Sequence, residues 1–125
     1  MRIAISSEGK TLESKIDVRF GRCPYFAIIE IDKKKKQITN KKFIENTAQA
    51  QMGGAGITAA EIVANEKVNA IITTNLGPRA FQVFGQLGIE IYRAEGKIKK
   101  AIEDFMNNKL QQVNEATGPQ HMGMK

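Results

Sequence analysis

A chain of 125 residues with 42% hydrophobic and 26% charged residues has the size and composition of one ordinary globular domain, which excludes a disordered or fibrous body. It has no apolar run near the ~18 residues of a membrane span, and the opening MRIAISSEGK lacks the basic-then-apolar plan of a secretory signal, so a cytoplasmic location is expected. The net charge of +6, from 19 basic and 13 acidic residues, favours an anionic partner, and the lone Cys23 excludes both an intramolecular disulfide and an all-cysteine metal site within one chain.

In chain order, MRIAIS (Met1–Ser6) alternates as a short strand with Ile3 and Ile5 on one face. YFAIIEI (Tyr25–Ile31) is nearly all apolar and rich in β-formers, which predicts a central strand covered on both faces. Asp32 and the run Lys33, Lys34, Lys35 and Lys36 read as a solvated hairpin tip, and QITNKKFIE (Gln37–Glu45) is amphipathic enough for an edge strand. After the glycine-rich MGGAG, the spacing of Ile57, Ala60, Val63 and Ala64 predicts a helix from about Ile57 to Lys67.

NAIITT (Asn69–Thr74) is the fourth strand, and Pro78 suits the first turn of a second helix with Ala80, Phe81, Phe84 and Leu87 as its buried stripe. Gly88 stands where a helix-terminating glycine is expected, before a short fifth strand, Ile89–Tyr92. Ile98, Ala101, Ile102 and Phe105 form the inward face of a last helix, about Lys97–Lys109. The order βββαβαβα predicts an α/β domain over residues 1–109, with a five-stranded mixed sheet and right-handed crossovers. Residues 110–125 read as a mobile tail.

If the second strand runs antiparallel to the first and third, the segments Ser7–Arg22, Asn46–Gly56 and Thr74–Arg79 meet at one rim, where open α/β sheets bind ligands. That rim suits an anion. Arg19, Arg22 and Arg79 supply fixed charge, while Gly53, Gly54, Gly56 and, in the turn after Asn75, Gly77 bring backbone N–H groups to two helix N-termini, the second preset by Pro78. Each glycine turn also has a purely structural reading. Cys23 reads either as an activated thiolate or soft-metal ligand, or as a small buried apolar residue. His121, with Met122 and Met124 in GPQHMGMK, offers donors suited to copper or another soft metal, within the expected tail.

VRFGRCPYF (Val18–Phe26), GGAGITAAEIV (Gly53–Val63), ITTNLGPRAF (Ile72–Phe81) and GIEIY (Gly88–Tyr92) together resemble the dinitrogenase iron–molybdenum cofactor biosynthesis family, the NifX/NafY-type, nitrogenase accessory factor-like domains, over nearly the whole chain to about Asn108. The resemblance implies a ribonuclease H-like α/β/α fold. It also implies a non-catalytic protein that binds or carries an iron–molybdenum–sulfur cluster, its precursor or a related anionic metal–sulfur cluster, and a cluster donor or acceptor protein as partner. Carried over by position, the FGR motif is Phe20, Gly21 and Arg22, and the GPR motif is Gly77, Pro78 and Arg79. Many nitrogenase-associated members place a histidine just before FGR; this sequence has Arg19 there.

A phosphate- or nucleotide-binding regulatory domain using the same rim, and a protein-interaction module with a charged edge strand bearing Lys41 and Lys42, stand as alternatives. Nuclease chemistry is disfavoured because Asp17 and the pair Glu30 and Asp32 fall at opposite ends of the sheet and cannot share a metal pair. Nucleic-acid binding is disfavoured by the absence of tryptophan and of any aromatic–basic strand motif.

Overall fold

A computed structural model describes residues 1–114 of the chain. The strands β1 (Arg2–Ser7), β2 (Tyr25–Asp32) and β3 (Gln37–Glu45) are followed by helix α1 (Ala55–Asn65), strand β4 (Ala70–Thr73), helix α2 (Pro78–Leu87), strand β5 (Glu90–Arg93), helix α3 (Ile98–Met106) and strand β6 (Gln111–Gln112). They form one mixed sheet in the order β3-β2-β1-β4-β5-β6. β2 is antiparallel to β1 and β3, while β1, β4 and β5 are parallel.

The period-2 side-chain alternation of strands divides the core into two layers. Ala4, Phe26, Ile28, Ile71 and Ile91 face Ala59, Ala60 and Val63 of α1 and Ala80 and Phe84 of α2. Ile3, Ile5, Ala27, Ile29 and Ile72 face Ile98, Ala101, Ile102 and Phe105 of α3. Helices therefore cover both faces, and this explains why β2 and β4 are almost continuously apolar, whereas the edge strand β3 is mostly exposed.

The hairpin between β2 and β3 turns where expected: Asp32 Oδ1 accepts the amides of Lys34 and Lys35. Pro78 opens α2, and Gly88 closes it at φ 71°, with the Ile89 amide donating to Phe84 O at 3.0 Å.

The sheet has six strands and not the expected five. Gln111–Gln112, expected within the mobile tail, pairs antiparallel with β5 through Tyr92–Gln112 and Arg93–Gln111, and Val113 packs on the core. α1 also begins two residues earlier than the apolar spacing predicts, at Ala55, because Gly54 at φ 73° starts the helix by backbone conformation alone. No helix among the described residues is long and apolar enough to cross a membrane.

Candidate functional site

The antiparallel entry of β2 and the parallel run of β1 and β4 bring three connections to one edge of the sheet, and α1 and α2 both start there. Between them lies a cavity of about 660 Å³ lined by Val18, Arg19, Phe20, Gly21, Arg22, Met52, Gly53, Gly54, Ala55, Gly56, Ile57, Asn75, Gly77, Arg79 and Ala80. Arg19, Phe20, Gly21, Arg22, Gly53, Gly54, Gly56, Asn75, Gly77 and Arg79, all expected from the sequence, are thus brought together. Pro78, the first residue of α2, is not itself a lining residue but stands between Gly77 and Arg79, which are.

The chain is threaded tightly here. Arg19 bridges to Asn75 in parallel fashion, which joins the first connection to the turn before α2. A Cβ on Gly21 would lie 3.1 Å from Gly56 N and 3.2 Å from Gly56 Cα, tighter than side chains ordinarily approach backbone, so the FGR turn meets the first turn of α1 at a distance that suits glycine. Asn46, buried and not singled out by the sequence, donates its amide to Gly21 O at 3.1 Å and Cys23 O at 2.8 Å. Phe20 turns inward and packs on Phe26 and Phe84 with ring centroids 5.2 and 5.5 Å away, so its aromatic body supports the wall.

The cavity is electropositive by construction. Neither α1 nor α2 has a side-chain cap at its N-terminus or an acidic residue in its first turn, so their first N–H groups and the positive ends of their dipoles are available to an anion. No carboxylate lines the cavity. Arg19 is held by the buried Asp17, whose Oδ1 accepts the Arg19 amide at 2.9 Å and Nε at 3.2 Å while Oδ2 accepts Nη2 at 3.1 Å. Those hydrogen bonds and the Asp17 charge raise the guanidinium above its ordinary range. Arg79 is exposed. Arg22 donates from Nη1 to Gln49 O at 2.9 Å and to Gln51 O.

Cys23 does not reach the cavity, which corrects its reading as a ligand. It is fully buried in the core layer under α1 and α2, its Sγ donates to Phe20 O at 3.3 Å, and burial pushes its thiol up to about 12. It is the small apolar residue of the alternative reading. His121, Met122 and Met124 lie outside the described residues. Among those that are described, no three His, Cys, Asp or Glu side chains cluster as a metal-binding group. The lining can therefore hold an anion through hydrogen bonds and ion pairs, with no protein thiolate or imidazole in its wall.

The profile of the family described as dinitrogenase iron-molybdenum cofactor matches residues 1–108. An uncharacterized protein of Methanocaldococcus jannaschii is 43% identical over 112 residues, covering 89% of this chain and 90% of that one. The apo form of the orange protein from Desulfovibrio gigas superposes with a TM-score of 0.84 at 29% identity, over 94% of this chain and 96% of that chain. A crystal structure from Methanocaldococcus jannaschii gives a TM-score of 0.72 at 29% identity, over 92% and 96% of the two chains.

Proposed function

The chain belongs to the dinitrogenase iron-molybdenum cofactor family, and on that premise we propose that it is a non-catalytic carrier. Its cargo is an anionic metal–sulfur cluster, an iron–molybdenum–sulfur cofactor or its precursor, received from a donor protein and passed to an acceptor. The observation that carries this reading is the convergence on one cavity of Arg19, Arg22 and Arg79 with two uncapped helix N-termini and no carboxylate. The binding domain is the α/β body of residues 1–109 together with the short β6 that completes its sheet, and its fold class is the ribonuclease H-like one that the family resemblance implies.

The wall offers guanidinium and amide N–H donors, and bridging sulfides on a cluster accept such hydrogen bonds. Held this way, the cargo keeps its own ligand sphere. Release then requires separation of charges and no exchange of a protein–metal bond, which suits a carrier. Arg19 in the position of a histidine fits that mode, because a guanidinium contributes charge and donors without coordinating a metal.

The alternative phosphate or nucleotide ligand would use the same donors. A cavity of about 660 Å³ is large for inorganic phosphate, and its one aromatic residue, Phe20, is turned into the core and offers no platform for a base. The test is an anaerobic titration of the protein with isolated iron–molybdenum cofactor, followed by its visible spectrum, with and without excess phosphate and ATP. Saturable binding that neither competitor displaces supports a cluster carrier. Displacement by ATP, or binding of ATP alone, supports the nucleotide reading.

A further inference from the structure

The three arginines of the cavity are committed differently, and the difference is geometric. We propose that Arg22 is a positioning residue that straps down the loop leading into α1, a role beyond the positive charge that it shares with Arg19 and Arg79. This deepens, and rests on, the reading of the cavity as an anion site.

One nitrogen of Arg22, Nη1, donates to both Gln49 O and Gln51 O. A guanidinium nitrogen of this kind carries two hydrogens, one for each carbonyl, and both are spent inside the protein. The two carbonyls lie in the connection between β3 and α1. That connection is pinned upstream by Asn46, whose amide bonds to Gly21 O and Cys23 O. Downstream, Gly21 itself sits against Gly56 in the first turn of α1. The turn around Arg22 therefore grips the loop at its beginning, middle and end. The loop finishes in the left-handed Gly54 that sets the direction of α1, so the strap fixes where the free N–H groups of that helix point.

Arg79 makes no ion pair among the described residues. Arg19 is oriented by Asp17 from behind while its side chain is 62% exposed. These two present charge to the cavity; Arg22, whose partners are neutral carbonyls, adds the placement of the helix to its charge.

The experiment compares Arg22→Ala, Arg22→Lys and Arg79→Ala in the full chain. In the ligand-free protein, amide hydrogen exchange of residues 49–57 rises in Arg22→Ala and stays at the wild-type rate in Arg79→Ala. In binding of iron–molybdenum cofactor, Arg22→Ala loses on the order of tenfold in affinity, the scale of a helix terminus acting on an anion. Arg22→Lys keeps the positive charge but lacks the planar guanidinium fork that spans the two carbonyls, and it does not restore the affinity. Arg79→Ala flattens the salt dependence. The proposal is overturned if exchange over residues 49–57 is unchanged in Arg22→Ala, or if Arg22→Lys restores full affinity, since the charge alone would then be what matters. Failure of the wild type to bind any cofactor counts against the cavity as a cluster site; the exchange comparison still decides the strap.

Discussion

The Asp17 carboxylate takes three hydrogen bonds from Arg19, one from its backbone amide and two from its guanidinium. An almost fully buried acid thus presents a largely exposed base to the cavity. The amide bond closes a turn of the kind Asp forms with the residue two positions on, and the side-chain pair directs the guanidinium outward. Backbone shape and charge placement come from the same two residues.

Asp17→Ala should therefore act twice. Loss of the turn acceptor costs about 1 kcal/mol of stability, measurable by urea denaturation, and the released Arg19 weakens cluster retention. Asp17→Ala with unchanged cluster retention would show that Arg19 does not need its partner to function.

Gly21→Ala should be destabilising, because the added Cβ meets backbone atoms of Ala55 and Gly56 at 3.1–3.3 Å and backbone cannot rotate aside. Overpacking of this sort costs about 1–3 kcal/mol, and here it also displaces the N-terminus of α1. Gly53→Ala is the matched control, since nothing lies within 4 Å of its Cβ position. Equal melting temperatures for the two variants would contradict this account of the FGR glycine.

Cys23 gives a prediction in pH. Burial raises its thiol from the ordinary value of 9.0 to about 12, so the folded state holds the proton more tightly than the unfolded chain. The resulting stability is fully present below about pH 9 and is lost as pH rises toward 12. Denaturation of wild type and Cys23→Ala at pH 8 and pH 10.5 should show the wild type losing more of its stability, the pH values being chosen on about either side of the ordinary thiol range. Native Cys23 should resist alkylation, and Cys23→Ala should retain cluster as the wild type does.

Glu66 is the remote control. Its carboxylate accepts Lys42 Nζ and Arg2 Nη2, each at 2.8 Å, and these bonds, Lys42 first, hold it below the usual carboxylate range. Its contribution to stability is present above the ordinary pKa and fades as pH falls through the lowered one. Glu66→Gln should be less stable than wild type at pH 7, converge with it in acid, and leave cluster retention untouched. Convergence at neutral pH would remove the pair from the stability account.

Much of this was readable from residue types. The apolar runs of β2 and β4 required covered faces, Pro78 and Gly88 marked the ends of α2, and the strand directions placed three connections on one rim, where the cavity lies. β6 was not readable, since two glutamines carry no strand pattern and pair only because β5 offers a free edge. The division of labour among the arginines was hidden as well, because Arg22 is satisfied by main-chain carbonyls 27 and 29 positions away, which no motif encodes. Cys23 left both readings open until its burial and the bond of its thiol to Phe20 O were known.

The central claim is that the basic cavity holds a metal–sulfur cluster. The most direct measurement is the iron and molybdenum retained per chain after anaerobic incubation with iron–molybdenum cofactor and gel filtration, for wild type and for the double variant Arg19→Ala/Arg79→Ala. The account predicts stoichiometric iron and molybdenum on the wild type and little on the double variant, with both proteins folded by circular dichroism. Equal retention by the two, or none by the wild type, would contradict it.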